Sequence, residues 1–371
     1  MSATPPPPTL DLAPPRGTSP RHRRARALAL IVGAAIVAVS CASDPGDAVA
    51  GSPSTNASTT VTPGTTTAPL PSPSPGCAAG PADPGARGTH EVVDLSSVGA
   101  DRWYTRLVPS NYDGAPVPLV VDLHGYLSGA AGQAAMSDLG AKAEEAGFVV
   151  ATPQGTSELP YWNAVPHAEL PDDVRFVADV IDDVAGSLCI DAARVYVDGF
   201  SNGAFLASLV ACRLSDRVAA VAAVSGLLLP ADCAPSRPVP VLAIHGTDDR
   251  YVSFAGAPNP ALADLTWNDQ SRAAFDGLAF ADVATTTERW AELNRCADEP
   301  TRTGVAPAVE LIEYPGCAEG SAVQLYVVDG GGHTWPGSAF SAASASILGP
   351  TTEAIDANEL IWSFFSEHPM P

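Results

Sequence analysis

Short apolar runs alternate with longer amphipathic stretches along the chain from residue 87 onward. The runs predict buried strands at residues 103–108, 119–123, 148–152, 195–198, 218–224, 239–245 and 323–328. Apolar positions at helical spacing predict helices at residues 133–146, 173–188, 204–214 and 355–367. Strands that alternate with helices are typical of a parallel sheet with crossover helices. We therefore predict one α/β domain over residues 87–371, with a mostly parallel sheet and helices on both faces.

The first 40 residues have a different pattern. Four arginines lie between residues 21 and 26, and thirteen apolar or small residues follow at 27–39. This run is too short to cross a bilayer, which takes about 20 residues. A basic region before a short apolar run indicates a secretory signal peptide. We therefore predict that residues 1–40 direct export and that the protein is extracellular.

Cys41 directly follows the predicted signal. Small residues before a cysteine resemble the bacterial lipobox, in which that cysteine becomes the lipidated first residue of the mature protein. Cys41 is therefore a lipidation candidate, and the lipid would anchor the protein to the cell membrane. Cleavage nearby without lipidation is the alternative.

A tract rich in serine, threonine and proline comes next. These three residue types fill 18 of the 25 positions in residues 51–75, and none of the 25 is charged or aromatic. Such a tract cannot bury enough apolar surface to offset the entropy lost on ordering. We therefore predict a disordered tether over residues 41–86.

The composition favours a large core and excludes one class of partner. Hydrophobic residues make up 46% of the chain and charged residues only 16%. Lys and Arg total 19 against 41 Asp and Glu, so the formal net charge is −22. A chain this acidic is repelled by phosphate backbones, which argues against nucleic-acid binding. We expect a monomer.

The main chemical signal is a serine between two glycines. The predicted strand at 195–198 leads into Gly199-Phe200-Ser201-Asn202-Gly203, and a predicted helix follows. This context is typical of a nucleophile elbow, a strained turn that exposes the serine hydroxyl and leaves no room for side chains at the glycines. Ser201 is therefore the candidate nucleophile.

A serine nucleophile needs a base, and the base needs an orienting acid. Asp248 and Asp249 follow the predicted strand at 239–245, and His333 follows the one at 323–328. Loops after parallel strands meet at the carboxyl edge of a sheet, where ligands bind. The spacing alone does not choose between the two aspartates.

The oxyanion of an acyl-transfer intermediate also needs two backbone N–H donors. One is expected from Asn202, directly after the nucleophile, and the other from Tyr126, in the loop after the strand at 119–123. We interpret His124, in the same loop, as a structural residue that holds the loop.

Several motifs in this order resemble a known family, the secreted esterases related to polyhydroxybutyrate depolymerases and to feruloyl or acetylxylan esterases. Mycobacterial lipoprotein esterases are similar too. The motifs are Leu123-His124-Gly125, Trp162-Asn163, Asp172-Asp173-Val174, Arg194-Val195-Tyr196, Gly199-Phe200-Ser201-Asn202-Gly203, His245-Gly246-Thr247-Asp248-Asp249, Gly332-His333-Thr334-Trp335-Pro336-Gly337 and Ile361-Trp362-Ser363-Phe364-Phe365.

The resemblance implies an α/β-hydrolase fold and ester hydrolysis through an acyl-enzyme, without a cofactor or a metal. It maps the family's acid onto Asp249. It implies a polyester, feruloyl ester or acetylxylan substrate, with small esters as an alternative. A different class of function, a catalytically silent domain for cell-surface binding, is disfavoured because nucleophile, base, acid and oxyanion loop are all present.

Three further residues deserve a prediction from their chemistry. Trp162 and Trp335 are candidates for substrate contact, with core packing as an equal alternative. Asp198 stands where the family commonly has threonine, and a buried charge at that position would need a partner.

If Cys41 is lipidated, the other six cysteines form an even set, which favours disulfides in an exported protein. We expect Cys189 to pair with Cys212, because both should lie at the far edge of the sheet. Cys296 and Cys317 flank one excursion and are expected to pair. Cys77 and Cys233 remain for each other.

Overall fold

The apolar runs of the sequence form the centre of a ten-stranded sheet in the computed structural model, which describes residues 71–78, 87–275 and 280–371. The strands are β1 (His90–Ser97), β2 (Ala100–Leu107), β3 (Val117–Leu123), β4 (Val149–Pro153), β5 (Ile190–Phe200), β6 (Ala220–Val224), β7 (Val241–Gly246), β8 (Thr301–Ala306), β9 (Val309–Tyr314) and β10 (Val323–Val328). The predicted signal peptide and Cys41 lie outside the described residues.

Helices connect most of these strands. Those in the described residues are α1 (Ala130–Ser137), α2 (Leu139–Ala146), α3 (Asp173–Ser187), α4 (Asn202–Arg213), α5 (Asp269–Phe275), α6 (Val283–Leu293), α7 (Ala339–Ala343), α8 (Ala345–Leu348) and α9 (Ala357–Glu367). The helix predicted at 133–146 is two helices, because Asp138 takes a left-handed conformation (φ 49°) between α1 and α2.

The sheet has a parallel centre and antiparallel ends. Its order is β1-β2-β4-β3-β5-β6-β7-β10-β9-β8, and the six strands from β4 to β10 pair in parallel. The hairpins β1–β2 and β8–β9 close the two ends with antiparallel pairs. This order, with helices on both faces, confirms the predicted α/β-hydrolase fold.

Alternate residues of the central strands supply two separate cores. On β3, Leu119, Val121 and Leu123 face the layer that contains α3, α4 and α6, whereas Val120 faces the layer of α1, α2 and α9. Side chains of a strand point to opposite faces in turn, so a buried parallel strand is apolar on both. The carboxyl ends of the central strands therefore stay free to carry loops.

Part of the predicted tether belongs to the domain. Residues 71–78 lie along the start of β5, where the Ser72 N–H donates to Asp191 Oδ1 (2.8 Å) and Ser74 Oγ accepts from the Ile190 N–H (3.0 Å). Gly76 packs so closely that a Cβ there would lie 2.2 Å from the Leu188 carbonyl oxygen. The tether prediction is therefore wrong for residues 71–78.

The same packing changes the disulfide pairing. Cys77 is bonded to Cys189, Cys212 to Cys233, and Cys296 to Cys317. The pair predicted between Cys296 and Cys317 is confirmed. The pairs Cys189–Cys212 and Cys77–Cys233 were wrong, because residues 71–78 bring Cys77 to the start of β5, and the loop after β6 returns Cys233 to the end of α4.

Three disulfides are typical of an extracellular protein. Among the described residues, the helices are all too short or too polar to cross a membrane.

Candidate active site

The serine of the glycine motif lies on a strained turn. β5 ends at Phe200, α4 begins at Asn202, and Ser201 between them has φ 55° and ψ −117°. A non-glycine residue in this region is under strain and persists only where its surroundings hold it. The Ser201 N–H donates to the Val224 carbonyl at the end of β6 (2.9 Å), which ties the turn to the neighbouring strand.

The two glycines of the motif allow this turn to form. A Cβ on Gly203 would lie 2.2 Å from the Leu123 carbonyl oxygen on β3, and one on Gly199 would lie 2.5 Å from the Gly203 carbonyl carbon. Both contacts are with backbone, which cannot yield as a flexible side chain can. The sequence requirement for glycine is therefore steric at both positions.

His333 is bonded to the second of the two candidate aspartates. Its Nδ1 lies 2.7 Å from Asp249 Oδ2. An ionised carboxylate only accepts hydrogen bonds, so Nδ1 carries the proton and Nε2 has a free lone pair. His333 and Ser201 line the same cavity. Asp248, in contrast, is exposed.

Asp249 is buried, and several donors surround its carboxylate. Oδ1 accepts the backbone N–H groups of Tyr251 and Val252 (2.9 Å each), and His245 Nε2 lies 3.3 Å from Oδ2. Burial by itself raises the pKa of Asp249, but the charges and hydrogen bonds of His333 and His245 outweigh it and hold this pKa well below its usual value. Asp249 is therefore ionised at neutral pH and can hold the imidazole of His333 in its orientation.

His245 was not singled out by sequence reasoning. It lies in the quoted motif His245-Gly246-Thr247-Asp248-Asp249, four residues before the acid, and it is buried. Its Nε2 is also 2.8 Å from the Val252 carbonyl oxygen, so this imidazole joins both ends of the acid loop. Its place within the motif was the available signal.

Asn202 follows Ser201 at the first position of α4, where its backbone N–H has no partner earlier in the helix. Its side chain holds a neighbouring loop: Oδ1 accepts the Trp162 N–H (2.7 Å), and Nδ2 donates to the Trp162 carbonyl (3.3 Å). These two side-chain hydrogen bonds hold Asn202 in place, as a fixed donor requires.

Tyr126, the second oxyanion candidate, lines the same cavity as Ser201. Its hydroxyl donates to the Thr266 carbonyl (2.6 Å), and its ring stacks on Trp267 with 4.8 Å between ring centroids. These contacts fasten the loop after β3 to the segment that follows β7.

His124 holds the backbone before Tyr126. The Gly155 N–H donates to its Nε2 (2.9 Å), so Nδ1 carries the proton and donates to the Gly125 carbonyl (2.7 Å). Burial lowers the pKa of His124 to about 4, against the opposing effect of the Gly125 hydrogen bond, which keeps the ring neutral. In a trans peptide the Tyr126 N–H points away from the Gly125 carbonyl. His124 therefore sets the direction of that N–H.

The two predicted substrate-binding tryptophans are core residues. Trp162 is fully buried, and its Nε1 donates to the His124 carbonyl (2.7 Å). Trp335 is also buried, and its Nε1 donates to Asn358 Oδ1 on α9 (3.1 Å). Neither side chain lines the cavity at Ser201. The prediction of substrate contact was wrong for both, because each indole finds a buried partner within the fold.

The cavity at Ser201 has a volume of about 320 Å³ and is lined by uncharged side chains. Its aromatic and aliphatic walls come mainly from the loop after β3, the helix α4, the segment between β7 and α6, and the helices α7 and α8. They include Tyr126, Leu127, Phe205, Leu262, Leu265, Phe275, Phe280, Phe340 and Ile347. An apolar cavity of this kind suits an uncharged organic group next to the serine.

A second pair of acids lies beneath the turn. Asp122 on β3 and Asp198 on β5 pair in register and are fully buried. Gln133 Nε2 and Ser137 Oγ donate to Asp122, whereas neither Asp198 oxygen has a donor among the described residues. Burial, and then the charge and hydrogen bond of Asp122, raise the pKa of Asp198 well above its usual value. The group that faces Asp198 is thus another acid, whose negative charge favours the protonated form of Asp198.

The sheet order and the loops at its carboxyl edge define an α/β-hydrolase. The profile of the family described as Phospholipase/Carboxylesterase matches residues 111–279. The chain is 33% identical over 268 residues to the putative esterase NocK of Nocardia uniformis subsp. tsuyamanensis. This alignment covers 69% of this chain and 75% of NocK. The chain therefore belongs to this family of serine carboxylesterases.

Two further proteins are similar to parts of the chain. Feruloyl esterase B of Piromyces equi is 29% identical over 235 residues, which are 61% of this chain and 41% of that longer protein. A solved acetyl xylan esterase from Aspergillus awamori aligns over 69% of this chain and 98% of its own, with 15% identity and a TM-score of 0.49.

Proposed function

We propose that this carboxylesterase works through a covalent acyl-enzyme formed on Ser201. The hydrogen bond between His333 Nδ1 and Asp249 Oδ2 carries the proposal, because it leaves His333 Nε2 free to accept the serine proton in the cavity that both residues line. The ionised Asp249 stabilises the imidazolium that forms.

The reaction has two halves. Ser201 Oγ attacks the ester carbonyl carbon while its proton passes to His333 Nε2, and the tetrahedral intermediate expels the alcohol as His333 returns that proton to the leaving oxygen. Water then gives up a proton to His333 and attacks the acyl carbon, and the second tetrahedral intermediate releases the acid as His333 returns that proton to Ser201 Oγ. The backbone N–H groups of Asn202 and Tyr126 are the donors to the oxyanion in both halves.

The proposed substrates are feruloyl or acetyl esters of xylan, with the polyester polyhydroxybutyrate and small esters next. The names of the relatives support the first two, and the uncharged, aromatic-rich cavity suits the bulky feruloyl group best. Hydrolysis of methyl ferulate, acetylated xylan and polyhydroxybutyrate, measured side by side, ranks them.

The mechanism is tested with a fluorophosphonate probe, which reacts with an activated serine. We expect labelling of the wild type and none of Ser201→Ala, with ester hydrolysis lost by at least about 10⁴-fold. Ser363→Ala is a matched control, because Ser363 is an exposed serine on α9 that does not line the cavity at Ser201. An unlabelled wild type of native circular dichroism would instead favour a silent binding domain.

We further propose that the protein is exported and lipidated at Cys41. The three disulfides support export. Mass spectrometry of the mature protein is expected to show a diacylglyceryl or triacyl group on Cys41 as the first residue, and a soluble form from Cys41→Ala. A mature chain that begins elsewhere without lipid would contradict lipidation and leave export in place.

A further inference from the structure

A second cavity, of about 500 Å³, adjoins the cavity at Ser201. The two share three wall residues, Phe205, Val252 and Phe280, and the rings of Phe205 and Phe280 lie 5.7 Å apart between centroids. Phe205 lies on α4 one turn after Ser201. For an acyl chain attached to Ser201, the second cavity therefore lies directly behind these three wall residues.

The far wall of the second cavity is the loop after β6, and it is held in place. Leu227, Leu228 and Leu229 supply its apolar surface. The Leu228 N–H donates to Ser208 Oγ (3.2 Å), and its carbonyl accepts from Trp290 Nε1 (3.0 Å). The disulfide between Cys212 and Cys233 fastens the end of the loop to α4. A wall anchored in this way is formed before any ligand arrives.

Charge at the rim indicates what the cavity holds. Three charged residues line it, and Arg213 and Asp232 form an ion pair with each other. Arg289 on α6 is exposed and has no ion-pair partner within the described part of the chain. The rim thus has one uncompensated positive charge in a protein of net charge −22. An anionic group at the end of an apolar chain complements this surface.

The position of His333 indicates which half of the ester, acyl group or alcohol, enters the second cavity. His333 returns its proton to the leaving alcohol oxygen, so the alcohol lies on the side of His333, near α7 and α8. His333, α7 and α8 contribute to the first cavity and not to the second. The part of the ester that reaches the second cavity is therefore the acyl group.

We propose that the second cavity is an acyl subsite for a long apolar chain that ends in a carboxylate, which Arg289 binds at the rim. This inference rests on the proposed ester hydrolysis at Ser201. It goes beyond the feruloyl and acetyl esters proposed above, because it adds esters of long, acid-terminated acyl groups to the substrates of Ser201.

The experiment compares kcat/KM for three p-nitrophenyl esters: acetate, decanoate and the monoester of decanedioic acid. Ala231 is an exposed lining residue, so Ala231→Trp fills the cavity without disturbing the core. We expect the decanoate-to-acetate ratio to fall about tenfold, the value of roughly two methylene groups left in water. The control is Ala115→Trp, at an exposed alanine before β3.

Arg289→Ala tests the charge. It is expected to lower the decanedioate-to-decanoate ratio about fivefold, as removal of an exposed ion pair does. Arg302→Ala, at an exposed arginine paired with Glu310 on the β8–β9 hairpin, is the matched control and leaves the ratio unchanged.

Each outcome decides one point. A decanoate-to-acetate ratio that Ala231→Trp leaves within twofold, or that Ala115→Trp lowers equally, overturns the acyl subsite. A decanedioate-to-decanoate ratio unmoved by Arg289→Ala overturns the carboxylate assignment. Failure of the wild type to hydrolyse any of the three esters or to take up the fluorophosphonate overturns the proposed function itself, and the subsite with it.

Discussion

Two buried aspartates of this protein have opposite electrostatic surroundings. Asp249 is 5% exposed and Asp198 is fully buried, so both lose nearly all contact with solvent. Asp249 faces two backbone N–H groups and two imidazoles, and its pKa is lowered, whereas Asp198 faces Asp122, and its pKa is raised. Burial alone therefore does not set the charge of an acid here; the donors around it do.

The backbone explains why the donors differ. Asp249 lies in a loop after β7, where the N–H groups of Tyr251 and Val252 have no strand to pair with and turn to its carboxylate. Asp198 lies within β5, whose backbone groups are already bonded to β3 and β6 on its two sides. A strand interior offers a buried carboxyl group no spare N–H, and the pKa of Asp198 is therefore raised.

The largest expected effect comes from removing the charge at Asp249. Asp249→Asn is expected to lower kcat for p-nitrophenyl acetate about 10⁴-fold, because an amide can donate to Nδ1 and so stabilises the wrong tautomer of His333. Asp248→Asn is the matched control, since Asp248 is exposed one residue away, and it should keep activity within a few-fold. A loss confined to Asp248→Asn would reverse the choice of acid.

A smaller effect, on stability, is expected at the other aspartate. A folded-state pKa raised above the unfolded value contributes stability at low pH that is lost as pH rises through the folded pKa. The wild type should therefore lose stability relative to Asp198→Asn as pH rises above about 4, the ordinary pKa of aspartate in an unfolded chain, because the raised pKa of Asp198 makes its ionisation in the folded state unfavourable, whereas the amide keeps a donor toward Asp122 and does not titrate.

The free energy of urea unfolding, measured for both proteins across this pH range, checks the difference. Groups that do not contact Asp198 cancel in it, whereas any change in the titration of Asp122 is part of the measured difference. The lowered pKa of Asp249 acts in the opposite direction, since its contribution is lost only as pH falls below the usual range of aspartate. A difference that does not grow with pH would mean that the pKa of Asp198 is not raised in the folded protein.

The smallest effect is expected at His245, the second imidazole of Asp249. His245→Gln should lower kcat less than tenfold, because Asp249 keeps both backbone donors and His333. Steady-state kinetics and near-UV circular dichroism separate a local from a general change. A loss as large as that of Asp249→Asn would show that the acid depends on both imidazoles equally.

The sequence predicted the centre of the sheet better than its edges. Every strand of the parallel centre coincides with a predicted apolar run, because a strand covered on both faces is apolar throughout. β8 was missed because it is exposed along nearly all of its length and contains Gly304, and β1 because its burial alternates between exposed and half-buried positions. Edge strands form through pairing with a neighbour, which single-chain hydropathy does not record.

The sequence likewise predicted one part of the candidate active site, its catalytic residues, better than the other, its aromatic residues. The sequence put Ser201, Asp249 and His333 after the ends of three strands of the parallel centre, and parallel pairing brings their loops to one edge. It did not separate the roles of aromatic residues, since Trp162 is buried and Phe205 and Phe280 form a cavity wall. An indole looks the same in a sequence whether its N–H meets a backbone carbonyl or a substrate.

The sequence by itself determined the fold class, the family and the order of the reactive groups, because these depend on local pattern and on the steric demand of a few glycines. Only the tertiary structure decided the partner of each cysteine, the end of the tether, the opposite surroundings of Asp249 and Asp198, and the second cavity. These depend on contacts between segments far apart in the chain, such as Cys77 with Cys189 or Phe205 with Phe280. Such contacts follow from packing and the supply of unpaired donors, which no local pattern specifies.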